Sequence, residues 1–217
     1  MSQNKSEPRS LSPSQFFDVL SKSQILAPEK LASVEKQLNR AGTKVSTDRL
    51  VDRLIQANLI TRWQSEKLLN GRFKGFFLGK YKLLGHLGTG GMSTVYLAQQ
   101  SLTNQQRAIK VLPRKRIDER SYLSRFYQEA RSIAALNHPN IIRIFDVNHE
   151  DETHYMVMEY VQGCDLYDVV TENGPASFEL ARDCIVQSAQ GLTHAHDRKL
   201  IHRDTVSYTH LTLPTKA

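Results

Sequence analysis

The chain has 217 residues, 40% hydrophobic and 24% charged, and carries a formal net charge of +7. That usage is too apolar for a wholly disordered chain, and the length suits one or two domains. No uncharged apolar run approaches the ~20 residues of a membrane span, and the start lacks the apolar core of a signal peptide. Two cysteines, Cys164 and Cys184, support neither a disulfide framework nor a zinc site, so a cytoplasmic setting is expected, with any anchor beyond the end of the chain left open.

The positive excess is local. Residues 1–80 hold 14 Lys and Arg against 7 Asp and Glu, while the remainder balances. These charges are spread singly along helical patterns, so they read as solvated helix faces and no nucleic-acid partner is expected. Residues 1–11 form a polar leader. Ser12-Pro13 then reads as a cap followed by proline at the first helical position, with Phe16, Phe17, Val19 and Leu20 as an apolar stripe. A second helix follows Ala27-Pro28, with Leu31, Val34 and Leu38 at helical spacing, and stops at Ala41-Gly42. A third follows Ser46. A fourth starts at Thr61, whose Gln64 three residues on completes a capping box, and runs past Trp63, a core residue, to Gly71. Residues 12–71 are thus a small helical domain and 72–80 a linker.

From Tyr81 the residues favour strands, near 81–88, 93–100 and 106–113. An amphipathic helix follows near 119–136, with Phe126, Ala130 and Ile133 on one face, then strands at 141–147 and 153–159. Helices are predicted at 165–173 and 177–198, the latter with Ala181, Cys184, Ile185, Ala189 and Leu192 as a buried stripe. Strands first and helices afterwards give an α+β domain in two layers or lobes over 81–205.

Two segments carry chemistry. Leu87, Gly88, Thr89, Gly90, Gly91 and Met92 precede the strand-like Ser93-Thr94-Val95-Tyr96-Leu97, which places the glycines at a hairpin tip. Taken alone they fit either a phosphate-covering loop or a glycine-rich hairpin of no chemical interest. Lys110 stands inside the strand-like Ala108-Ile109-Lys110-Val111. An ammonium there needs an anionic partner, unless it is an edge lysine reaching solvent. Glu129 flanks the apolar face of the following helix and wants a cation, so a Lys110–Glu129 pair is expected. Two histidines, His194 and His196, stand two apart on a helix and cannot share a metal from one face. Cys164 reads as a small packed side chain rather than a redox switch.

The ordered set Leu-Gly-x-Gly-x-x-Ser-x-Val at 87–95, Ala-Ile-Lys at 108–110, Glu129, His-Pro-Asn at 138–140, Val-Met-Glu-Tyr at 157–160 and His-Arg-Asp at 202–204 resembles the eukaryotic-type (Hanks-type) protein kinases, particularly bacterial Ser/Thr kinases. The resemblance covers 80–204. It implies a kinase-like small lobe, an antiparallel sheet plus one helix, and the start of a helical large lobe. It also implies ATP and Mg²⁺ as cofactors and a protein bearing Ser or Thr as substrate. By position, Leu87, Val95 and Ala108 would enclose the adenine, Met158 would be the gatekeeper, and the backbone of Glu159 and Val161 would bind the adenine edge. Asp165 would lie near the ribose, and Lys110, held by Glu129, would contact phosphates. Asp204 would accept the substrate proton, and Arg203 would pair with a phosphorylated activation loop. Ser93 replaces the third glycine, a mild departure.

Beyond Asp204 the pattern departs sharply. Where the family carries a lysine and a magnesium-binding asparagine, this chain has Val206 and Thr209, and no Asp-Phe-Gly follows. Val206 to Thr215 resemble a transposase-type sequencing adapter read as codons, so 206–217 are expected to be a non-native tail and the kinase part truncated. Magnesium ligands are expected only in the absent part, and the chain as written should transfer phosphate poorly. Three readings result: a shortened ATP-dependent Ser/Thr kinase, a nucleotide-binding pseudokinase or scaffold, and a protein whose 12–71 helices are a protein-interaction module.

Overall fold

The structure is a computed structural model that describes residues 11–41, 46–90, 93–112 and 120–201. The described residues divide into two compact units, one reaching Gly88 and including Val95–Gln106, the other comprising Thr89–Thr94 and the chain from Arg107 onward.

The first unit opens with four helices, α1 (Pro13–Ser23), α2 (Pro28–Ala41), α3 (Thr47–Gln56) and α4 (Arg62–Leu69). Their starts follow from local chemistry. Ser12 accepts from the Gln15 N–H while the Gln15 side chain accepts from the Ser12 N–H, so both ends of a capping box are made ahead of Pro13. Thr61 and Gln64 repeat the device on α4, and Ser46 caps α3. The first helix ends at Gln24, which takes a left-handed φ of 57°. Phe16, Leu20, Leu50, Leu54, Ile60 and Leu68 bury their side chains in one core, and Trp63 packs against it half-buried.

Phe76, just beyond α4, is buried in that same core. The chain then forms β1 (Phe77–Leu78), a two-residue strand that sequence periodicity is too short to reveal, turns through Gly79, and enters β2 (Tyr81–Thr89). β1 and β2 pair antiparallel, with Leu78 opposite Tyr81. β3 (Thr94–Gln100) is the next strand of the sheet. Compactness therefore runs straight through 72–80, because Phe76 anchors that segment in the helical core.

The second unit contains β4 (Gln106–Val111) from Arg107 onward, α5 (Arg120–Ala134), β5 (Ile144–Glu150), β6 (Thr153–Glu159), α6 (Leu166–Asn173) and α7 (Phe178–Asp197). Here the strand order is β4-β6-β5, all antiparallel. β5 begins at Ile144, later than its apolar run suggests, since Ile141 donates back to the His138 carbonyl in a turn. Leu112, Phe126, Ala130, Ile144 and Met156 form the core beneath α5.

Two sequence expectations fail in this unit. On α7 the buried residues are Cys184, Gly191 and Ala195, whereas Ile185 is 69% exposed and Ala189 is also exposed. Ile185 and Ala189 lie roughly 100° and 140° around the helix from Cys184, outside that narrow stripe. Cys164 is exposed rather than packed, in the irregular stretch just before Asp165, the capping residue of α6.

Candidate active site

Lys110 projects from β4, and Glu129 from α5. The Lys110 Nζ lies 2.7 Å from Glu129 Oε1, with the lysine side chain 18% exposed and the glutamate 46%. β4 holds the lysine in place through its register with β6, where Ala108 faces Met158, Ile109 faces Val157 and Lys110 faces Met156. α5 in turn is fixed by Phe126 and Ala130, both buried, which flank Glu129 in sequence and leave its carboxylate at the edge of the apolar face. A lysine has three N–H donors, so pairing with one carboxylate leaves capacity for an anionic ligand.

The glycine segment lies on the hairpin between β2 and β3. Gly90 donates its N–H to the Ser93 carbonyl at 2.9 Å, and Ser93 is buried. A Cβ added at Gly88 would meet nothing within 4 Å, and one at Gly90 only the Ser93 carbonyl at 3.9 Å. Crowding within the protein does not require glycine at either position. Leu87 and Thr89 are exposed, and Gly88 and Val95 half-buried. Gly91 and Met92 lie outside the described residues, as do Arg203 and Asp204.

Of the remaining positions, Ala108 is buried and Met158 half-buried beside it on the neighbouring strand. Glu159 donates its main-chain N–H to the Arg143 carbonyl at 2.8 Å, and its carboxylate accepts from the Arg143 N–H at 3.3 Å. Val161 follows half-buried. Asp165 caps α6, accepting from the Asp168 N–H at 2.8 Å, so one of its carboxylate oxygens is already engaged.

The His-Pro-Asn segment proves to be a clamp, a role its residue types alone do not announce. Asn140 donates through Nδ2 to the Gln187 carbonyl at 2.9 Å and to Gln190 Oε1 at 3.1 Å, joining the segment after α5 to α7. The His138 and His194 rings meet at a tilt of 39°, 5.0 Å between centroids. Burial lowers the His194 pKa below its ordinary value; the nearby Arg198 and His138 charges lower it further, and Asp197 opposes them. Among the described residues no group of three or more His, Cys, Asp or Glu is placed to hold a metal.

The protein kinase domain family matches residues 81–205, more than half of the chain. The chain belongs to the protein kinase family. It is 39% identical over 126 residues to the serine/threonine-protein kinase PrkC of Bacillus subtilis, an alignment covering 58% of this chain and 19% of that protein. It is 40% identical over 126 residues to the serine/threonine-protein kinase pkn2 of Myxococcus xanthus, covering 58% and 15%. With PknB of Mycobacterium leprae the identity is 37% over 129 residues, covering 58% and 21%. The crystal structure of the Mycobacterium tuberculosis PknI kinase domain aligns with a TM-score of 0.50 at 30% identity, covering 60% of this chain and 53% of that one. The kinase fold expected from the motifs is therefore present. This kinase chain spans about a fifth of the length of these curated relatives. No helix among its described residues is long and apolar enough to cross a membrane.

Proposed function

We propose that this chain carries the nucleotide-binding part of an ATP-dependent serine/threonine protein kinase. The observation that carries the reading is the 2.7 Å Lys110–Glu129 pair, an arrangement in which a carboxylate orients an ammonium without consuming its remaining donors. The open space over Gly88 and Gly90 fits it too, since main-chain N–H groups without a Cβ between them can approach phosphate oxygens closely. ATP, when bound, supplies the phosphoryl group that is transferred. In this reading Lys110 holds the α- and β-phosphates and Glu129 keeps Lys110 in place. Leu87, Val95, Ala108 and Met158 bind the adenine by apolar contact. The Glu159 N–H is committed to Arg143, so its carbonyl and the Val161 backbone are the groups assigned to the adenine edge. Asp165 is assigned to the ribose through its second oxygen.

Asp204 is assigned the substrate hydroxyl's proton, and Arg203 the phosphorylated activation loop. Preference for Ser or Thr follows the named relatives. Val206 and Thr209 lack the chemistry of the phosphate-steadying lysine and the magnesium-binding asparagine, so no magnesium ligand is assigned and slow transfer by this chain is expected. That same departure favours, as a second reading, a nucleotide-binding pseudokinase or scaffold whose helices at 12–71 meet a protein partner.

Titration of the 217-residue chain with a fluorescent ATP analogue tests the first reading. Saturable binding that Lys110→Met weakens about tenfold or more supports it, whereas no binding by the unmutated chain overturns it. Incorporation of γ-labelled phosphate into a protein Ser or Thr separates kinase from pseudokinase.

A further inference from the structure

The family match begins at residue 81, which leaves α1–α4 without a role. The first turn of α4 supplies one. Gln64 is 1% exposed, and its two ends do different work. Its Oε1 accepts from the Thr61 N–H at 2.9 Å, completing the capping box, while its Nε2 donates to the Leu83 carbonyl on β2 at 2.7 Å. Thr61 does the same in mirror fashion: its hydroxyl oxygen accepts from the Gln64 N–H at 3.1 Å, and its proton goes to the Leu84 carbonyl. Two consecutive main-chain carbonyls of β2 are thus held by the residues that start α4.

The choice of residue is informative. Glutamate would complete a capping box equally well, but an ionised carboxylate has nothing to donate to Leu83. Glutamine at this position meets the demand of the strand, beyond that of the helix. Between these two residues in sequence, Trp63 packs edge-on against Tyr96 of β3 at 5.8 Å, and Tyr96 meets His86 of β2 at 5.8 Å. The contacts from α4 therefore reach both strands of the hairpin, and His86 stands two residues before Gly88.

We propose that α4 is a brace built into the glycine hairpin, and that Gln64 is a positioning residue for the loop that covers the nucleotide. The role rests on the ATP reading given above. Removing one buried hydrogen bond from the strand gives it more local opening without requiring the whole chain to unfold.

The test compares hydrogen exchange and ATP-analogue affinity of the 217-residue chain with those of Gln64→Glu, which keeps the cap and loses the donor. A second variant, Gln64→Met, avoids a buried charge. The expected result is about fivefold faster exchange in β2 and β3, unchanged exchange in β6, and analogue binding weakened about fivefold. Unchanged exchange in β2 and β3 overturns the brace, as does loss of protection in both units by both variants. Faster exchange with unchanged analogue affinity overturns the positioning role. Lys110→Met is the separating control, expected to weaken binding while leaving hairpin exchange alone. If the unmutated chain binds no analogue, the ATP reading and the positioning role fall together, and the exchange data still decide whether α4 braces the hairpin.

Discussion

The Tyr127 hydroxyl lies 2.8 Å from Nδ1 of His154, joining α5 to β6 two residues before Glu129. The two rings meet edge-on at 5.7 Å, and His154 faces His149 across the β5–β6 hairpin. This contact and the buried Phe126 both orient the helix that presents Glu129 to Lys110. Tyr127→Phe removes the hydroxyl and keeps the ring. It is expected to cost about 1 kcal/mol, read as a lower midpoint in urea with an unchanged slope. A midpoint equal to that of the unmutated chain would show that the hydrogen bond contributes nothing.

Acid should weaken this fold before it titrates any carboxylate. Burial lowers the His154 pKa, with His149 adding to the effect, and burial is also the first cause of the lowered value at His194. A histidine whose folded-state pKa lies below its unfolded value of about 6.5 takes up its proton more readily in the unfolded chain. Its contribution is therefore full above about pH 6.5 and is lost as pH falls from there toward the folded-state values. The melting temperature is expected to fall between pH 7.5 and 5.5, and a double His154→Asn, His194→Asn variant should flatten that slope. A slope unaffected by both replacements would place the sensitivity elsewhere.

Much of this arrangement was legible in the residues because it rests on local rules. Ser12, Ser46 and Thr61 mark helix starts by capping chemistry, and Lys110 with Glu129 announces an ion pair because an ammonium inside a strand-like run needs an anion and Glu129 flanks an apolar face. What escaped is tertiary. Nothing in the alternation around Tyr81 tells that Phe76 will sink into the helical core, or that Gln64 will turn its amide toward β2. The stripe on α7 misled for a related reason. Cys184, Gly191 and Ala195 make the buried line instead, and at Gly191 the neighbour is the Asn140 main chain, which is distant in sequence.

The Lys110–Glu129 pair should matter far more to ligand than to fold. Glu129 is about half exposed, and ion pairs in such settings contribute on the order of 0–1 kcal/mol to stability. Glu129→Gln keeps the shape and removes the charge, so the melting temperature should move little. Lys110 then loses the group that orients it, and affinity for an ATP analogue should drop about tenfold, in line with the 1.5–3 kcal/mol of a charge-assisted hydrogen bond. A large loss of stability with unchanged affinity would reverse this assignment and make the pair structural.

Gly191 on α7 offers a sharper test of packing, because two effects oppose each other there. Alanine is the better helix former by about 1 kcal/mol. A Cβ at this position would lie 3.1 Å from the Asn140 carbonyl oxygen and 3.4 Å from Ile141 Cγ1. The sign depends on whether that carbonyl can retreat. Asn140 is fastened to the same helix by its side chain at Gln187 and Gln190, one turn and less from Gly191, and its N–H is held by His138 Nδ1 at 3.1 Å. The carbonyl is therefore pinned where the new methyl must go, and overpacking of this kind costs about 1–3 kcal/mol. Gly191→Ala should lower the melting temperature despite its helical advantage, and Gly191→Ala combined with Asn140→Ala should lose less than the two changes summed, since freeing the clamp frees the carbonyl. A Gly191→Ala chain that melts higher than the unmutated one would show that the clamp yields.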